Sequence, residues 1–237
     1  MQLFYNPDIN LSTNIFSFDK NESRHIIKVL RKKEKDQLQI TNGQGLLFTS
    51  QIISDNEKKC VIQIISAEPQ PAPWKYHLHI AIAPTKMNDR YEWFLEKATE
   101  IGIDEITPII CDNSERKTIK TDRFKKVIIS AMKQSLKFQL PKLNEPIKFS
   151  EFINKDFEGS KLIAHCAKSD KQILDPESVA NNNITVLIGP EGDFSSKEIN
   201  TALHHKFIPL SLGKSRLRTE TAGIVVCNAV AILKNKD

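Results

Sequence analysis

The sequence predicts an α/β protein whose main domain is a parallel sheet covered by helices, preceded by a small β-barrel domain. Three observations predict it. The first seventy residues carry short runs of β-forming residues separated by turn signals. A proline-rich stretch, Pro69-Gln70-Pro71-Ala72-Pro73, follows and can continue neither a helix nor a strand ladder. Beyond it, apolar strands alternate with amphipathic helices, the pattern of a parallel sheet. The expected domains are therefore residues 1–70 and 74–237.

In the first domain, strands are expected at 37–40, 46–53 and 60–65, with turns at Asn42-Gly43-Gln44-Gly45 and Asp55-Asn56. One helix interrupts them at 22–30, with Ile26, Ile27, Val29 and Leu30 as its apolar side. In the second domain the strand over 76–83 is followed by a helix over 88–100 that stops at Gly102. A strand over 105–111 and a long helix over 122–138, ended before Pro141, come next. Further buried strands are expected at 161–166, 184–188 and 207–212, with helices over 196–204 and 219–234. In such sheets ligands bind at the carboxyl ends of the strands, so the loops there draw attention first.

Composition narrows the class. The 237 residues are 40% hydrophobic and 27% charged, with a mean hydropathy of −0.35, and no apolar run approaches the roughly 20 residues of a membrane span. The opening Met1-Gln2-Leu3-Phe4-Tyr5-Asn6-Pro7 lacks the basic and apolar regions of a secretion signal, so a cytoplasmic protein is expected. Cys60, Cys111, Cys166 and Cys227 are far apart and form no Cys-x-x-Cys or Cys/His cluster. All four read as structural thiols, and neither a metal site nor a disulfide framework is expected. His77 and His79 alternate in a strand and His204-His205 sit near a helix end, which is poor spacing for metal ligands.

The net charge is only +5, but its distribution is uneven. Between Arg116 and Lys142 the bases are Arg116, Lys117, Lys120, Arg123, Lys125, Lys126, Lys133, Lys137 and Lys142, against the single acid Asp122. Arg24, Lys28, Arg31, Lys32, Lys33 and Lys35 form a second cluster. Most charge runs are solvated faces. A helix balanced for stability would interleave acids at i+4, however, and this stretch does not. Unbalanced bases attract phosphate and release its counterions, which points to nucleic acid.

Two loops stand out. The first, Gly189-Pro190-Glu191-Gly192-Asp193-Phe194, follows an apolar strand, and its glycines permit a tight turn or a close backbone approach to a ligand. Ser195-Ser196-Lys197-Glu198 then supplies a capping box. The second, Leu210-Ser211-Leu212-Gly213-Lys214-Ser215-Arg216-Leu217-Arg218-Thr219-Glu220-Thr221-Ala222, is long and basic. Its Gly-Lys-Ser is no phosphate loop, because Ile208 stands where that motif needs its first glycine. Thr219 can cap the last helix, and Glu220 suits the helix dipole. Arg216 and Arg218 read either as ligand-facing or as surface ion-pair partners.

Together these segments make the chain resemble the bacterial ribosomal small subunit methyltransferase E family, the 16S ribosomal RNA uracil-N3 methyltransferases of the SPOUT superfamily. The matching stretches are His25-Ile26-Ile27-Lys28-Val29-Leu30-Arg31, Glu96-Lys97-Ala98-Thr99-Glu100-Ile101-Gly102, Thr107-Pro108-Ile109-Ile110, Leu187-Ile188-Gly189-Pro190-Glu191-Gly192, and the second loop from Leu212 to Ala222. They span both domains in the family's order. One departure is Lys133-Gln134-Ser135-Leu136-Lys137, where many relatives carry Glu-Gln-Ser-Gly-Arg.

The resemblance implies a PUA-like barrel for RNA and a SPOUT-type α/β domain with a C-terminal trefoil knot, acting as a homodimer. It also implies S-adenosylmethionine as cofactor, 16S ribosomal RNA as partner, and neither a membrane nor a metal. The donor would lie against Ile188, Gly189, Pro190, Glu191, Gly192, Leu210, Leu212, Gly213, Leu217, Thr219, Thr221 and Ala222, with the end of the 161–166 strand as a third wall. The RNA would meet Arg24, Arg31, Lys32, Lys33, Arg116, Lys117, Lys133 and Lys137. Because a uracil N3 must lose its proton to react, the catalytic candidates are Arg218, to stabilise the developing anion, and Glu191 or Glu220, to take the proton. Glu220 reads equally well as a helix-start residue. A non-catalytic RNA-binding assembly factor would need the basic clusters but no donor loops, and a methyltransferase of another RNA nucleotide would share those loops.

Overall fold

The computed structural model describes residues 2–234. The chain divides into two compact units, one of residues 1–72 with 132–140, the other of residues 73–131 with 141–237.

In the first unit β1 (Leu3–Tyr5), β2 (Ile15–Ser17), β3 (Gln37–Thr41), β4 (Leu46–Ser54) and β5 (Val61–Pro69) form a mixed sheet in the order β1-β3-β4-β5-β2. Only β1 and β3 run parallel. Two register shifts in β4 bend the sheet around Phe4, Ile26, Ile40, Phe48, Ile52 and Ile62, which are all buried. Its edges stay unpaired with each other, so the expected barrel is a curled half-barrel.

Helix α1 (Lys20–Arg24), capped by Asp19, runs into a π-helical turn, His25–Val29, closed by a bond from the Leu30 N–H to the His25 carbonyl at 3.0 Å. The wider turn shifts which side chains face the core. Ile26 is fully buried, but Val29, expected on the apolar side, is 67% exposed. The segment 132–140 also belongs to this unit.

The second unit is built on an eight-stranded sheet whose pairs are all parallel. After β6 (His77–Ile82) come α2 (Asn88–Ile101), β7 (Glu105–Ile110), α3 (Thr121–Gln134), the short β8 (Lys142–Leu143) and β9 (Ile147–Lys148), and α4 (Phe149–Phe152). Next are β10 (Ser160–Ala164), β11 (Gln172–Ile173), β12 (Asn183–Ile188), α5 (Ser196–His204), β13 (Ile208–Ser211) and α6 (Thr219–Lys234). The strand order is β11-β13-β10-β12-β6-β7-β8, with β9 beside β7.

Alternate residues of the strands face opposite ways. Ala81, Ile109, Ile163 and Leu187 enter a core with Phe149 and Phe152 of α4 and Ile199 and Ala202 of α5. Helix α6 packs on α2, β6 and β12. Gly223 makes that approach possible, since a Cβ there would lie 2.5 Å from Phe94 Cε2.

Helix α3 ends earlier than expected. Leu136 turns left-handed (φ 54°), its N–H bonds the Lys133 carbonyl, and the Lys137 N–H bonds the Met132 carbonyl at 3.0 Å. This is a Schellman stop with leucine in the position that glycine fills most cheaply. Three cysteines are buried as expected of core thiols, but Cys166 is exposed and is therefore not a core residue.

Candidate functional site

The carboxyl ends of β10, β12 and β13 surround a cavity of about 590 Å³. Its construction starts from hydrogen bonds that lace the three loops together. Asp193 sits in a left-handed conformation (φ 61°), which aspartate tolerates better than most residues. Its carboxylate accepts the Cys166 N–H at 2.8 Å and the Phe194 N–H at 2.9 Å, joining the end of β10 to the loop after β12. Thr219 Oγ1 donates to the Gly189 carbonyl at 3.0 Å, and Arg216 donates to the Glu191 carbonyl at 3.2 Å, joining the loop after β13 to the same place. The capping box forms in full, with Ser195 and Glu198 each accepting the other's backbone N–H.

Most of the residues singled out in the two loops meet at this cavity. Ile188, Gly189, Pro190, Glu191, Leu210, Leu212, Gly213, Leu217, Arg218, Thr219 and Ala222 all border it. Gly192 stands aside, facing Asn113, whose amide donates to the Gly192 and Asp193 carbonyls, each at 3.1 Å. Thr221 and Glu220 line a neighbouring cleft with Asp89, Arg90 and Trp93, and Arg90, Arg216, Leu217 and Arg218 border both spaces.

The two carboxylates differ. Glu191 Oε1 accepts the Lys86 N–H at 2.9 Å, whereas Glu220 Oε1 lies 4.0 Å from Arg90 Nε. In each the second oxygen is buried without a partner among the described residues.

His165 and Lys171, not singled out in the sequence, also line the cavity. Both ring nitrogens of His165 are buried and partnerless, and burial, followed by Lys171, holds its pKa below the ordinary value. A lone histidine after a strand carries no periodic signal. Asp193 could have been suspected from its place between Gly192 and Phe194 in a tight turn.

The basic stretch is less unbalanced in space than along the chain. Arg123 pairs with Glu92, Lys125 with Glu145 at 3.7 Å, Lys142 with Glu105 at 3.0 Å and Lys133 with Glu22 at 4.0 Å. Lys133 also lies 5.7 Å from the Phe4 ring centroid. The Arg116 guanidinium donates to the Thr85 and Lys86 carbonyls, bracing the loop that holds Glu191. Arg24, Arg31, Lys33 and Lys117 are exposed, and Lys32 is partly so. Lys137 lies just past the Schellman stop in the first unit. Among the described residues, no group of three or more His, Cys, Asp or Glu is placed to hold a metal ion, and no helix is long and apolar enough to cross a membrane.

The chain is similar to known proteins along nearly its whole length. The family model described as an RNA methyltransferase domain matches residues 72–231, and that described as an RNA methyltransferase PUA domain matches 18–65. Ribosomal RNA small subunit methyltransferase E of Buchnera aphidicola subsp. Acyrthosiphon pisum is 30% identical, over 97% of this chain and 92% of its own. A crystal structure of a probable rRNA-methyltransferase from Porphyromonas gingivalis has a TM-score of 0.90 at 40% identity, covering 99% of this chain and 98% of its own. Ribosomal RNA small subunit methyltransferase E of Neisseria gonorrhoeae, solved bound to S-adenosyl methionine, has a TM-score of 0.86 at 25% identity over 98% of each chain. With both domain models matched in order and relatives aligned over nearly their whole length, the chain belongs to the ribosomal RNA small subunit methyltransferase E family.

Proposed function

We propose that the chain transfers a methyl group from S-adenosylmethionine to N3 of a uridine in 16S ribosomal RNA, as a homodimer in the cytoplasm. The observation that carries this reading is the three-loop cavity, whose chemistry suits the donor. Its volume of about 590 Å³ lies within the usual range for small-molecule sites. Ile188, Leu210, Leu212, Leu217 and Ala222 offer an apolar wall for an adenine ring. Lys171, Glu191 and Asp193 offer charges of both signs for an amino-acid end. When bound, the donor supplies an electrophilic methyl group on a sulfonium.

The chain's own work is alignment and charge stabilisation. Arg218 borders both the cavity and the cleft beside it, so its guanidinium can stabilise negative charge developing on the uracil carbonyls. Arg116 works through backbone, holding the 85–86 turn against Glu191. On the first unit, Arg24, Arg31, Lys32 and Lys33 provide bases for the RNA backbone.

Two further parts of the reading have structural support. A trefoil knot is favoured by topology: β13 lies on the far side of β10 from β12, yet α6, which follows the second loop, packs back on β6 and β12. A dimer is favoured by α6, which exposes Ile232. Mass spectrometry of 16S ribosomal RNA from a strain lacking the gene tests the function: loss of one N3-methyluridine is expected, and an unchanged methylation pattern would refute it. Isothermal titration with S-adenosylmethionine tests the cofactor, since no binding at millimolar donor would leave only an RNA-binding assembly factor.

A further inference from the structure

We infer that the cleft between the first turns of α2 and α6 is the acceptor subsite, in which Trp93 stacks on the target uracil, Arg90 and Arg218 hold its carbonyl oxygens, and Glu220 removes the N3 proton. This rests on the uracil-N3 reading above and adds to it the place where the base sits.

The cleft and the donor cavity share Arg90, Arg216, Leu217 and Arg218, so the two spaces adjoin along these side chains. That adjacency is what a direct transfer needs. Trp93 is 45% exposed at the cleft, and three arginines stand beside it. An open indole among cations is the arrangement that captures an unstacked base and its phosphates. An enzyme acting on the Watson–Crick edge of a base must take that base out of any pairing first.

Glu220 supplies the second, independent observation. Its residue is 95% buried (5% exposed), and its Oε2 has no hydrogen-bond partner among the described residues. A buried carboxylate oxygen left unpaired is costly unless a ligand completes it. Its nearest cation, Arg90, approaches only to 4.0 Å, too far for a hydrogen bond. Glu191 is the poorer candidate, because Oε1 already holds the Lys86 N–H and the residue does not line the cleft.

The pattern also selects a base. Uracil presents an N3–H donor between two carbonyl acceptors, and a carboxylate between guanidiniums is its complement. Cytosine would set a lone pair against Glu220 and an amino group against an arginine. In the reaction the N3–H bond breaks and its proton passes to Glu220. The pair left on N3 forms the N–CH₃ bond. Electrons of the broken methyl–sulfur bond stay on sulfur, leaving S-adenosylhomocysteine.

The test combines Trp93 fluorescence with the pH profile of methylation. In full-length protein saturated with S-adenosylhomocysteine, a short oligouridine should quench emission, an oligocytidine should need at least about tenfold more, and Trp93→Phe should abolish the signal. Glu220→Gln, close in shape, should bind donor normally but methylate about a hundredfold more slowly near neutral pH. Its rate should recover as pH rises toward the ionisation of uracil itself, which loss of a merely structural contact would not produce. Quenching that survives Trp93→Phe unchanged, or a Glu220→Gln profile that overlays the wild type, overturns the inference. If instead the wild-type protein methylates an atom other than uridine N3, the functional reading fails first, whatever the variants do.

Discussion

The two ends of the parallel sheet in the second unit treat buried polar groups in opposite ways. At the amino end, His79 Nε2 meets Thr107 Oγ1 at 2.7 Å, and Asn144 Nδ2 donates to Thr107 Oγ1 at 2.7 Å and to Glu105 Oε1 at 2.6 Å. Lys142 closes the group on Glu105 at 3.0 Å. Each of these side chains has a partner inside the protein. At the carboxyl end His165, Glu191 and Glu220 keep buried atoms that have none. Both regions are polar, and both carry a histidine with a lowered pKa. At these two ends the difference lies not in polarity or pKa but in whether the protein satisfies its own groups.

Substitutions can break or sharpen this contrast. The largest effect is expected from Arg218→Ala at the carboxyl end. Methylation should fall by about 10²–10³ while donor affinity, measured by titration, stays near wild type. Methylation near wild type would remove the contrast's functional half.

At the amino end the effect should fall on stability alone. Burial lowers the pKa of His79 to about 4, so the unfolded chain binds a proton there that the folded chain refuses. Stability should be constant above the unfolded value near 6.5, decline as pH falls toward 4, and level off below, losing on the order of 3 kcal/mol. Urea unfolding across that range checks it, and His79→Asn should flatten the slope. Asn144→Ala, which strips partners from Glu105 and Thr107, should cost about 2 kcal/mol in the same assay without altering donor affinity.

Thr219→Val tests the lacing of the cavity. Losing the bond to the Gly189 carbonyl should weaken donor binding about tenfold, equivalent to about 1.4 kcal/mol. The smallest change lies away from both ends: Leu136→Gly should stabilise the fold by about 1 kcal/mol by relieving its left-handed φ, and should leave donor binding unchanged.

Much of the scaffold was legible because local signals and global fold agree. Gly102 ends α2 at φ 131°, the Ser195–Glu198 box starts α5, and the apolar runs at 77–82 and 183–188 became paired central strands. Strands of two or three residues, such as β2, β8, β9 and β11, carry too little pattern to announce themselves. The π-helical turn was hidden because the apolar spacing through Val29 fits an ordinary helix equally well. The ion pairs of the basic stretch were hidden for a related reason: Glu22, Glu92 and Glu145 balance Lys133, Arg123 and Lys125 from elsewhere in the chain. The two cavity loops showed in their glycines and leucines. Arg90, Trp93 and His165 join them only through the fold.

The lacing of the cavity has a consequence for the order of events during synthesis. Its wall draws on the end of β10, the turn after β12 and the start of α6, while β6 at the centre of the sheet waits for β12 to emerge. The lacing is complete only once Asp193 and Thr219 are both in place. With the donor in the proposed site, its capture is expected only after the last strands have docked.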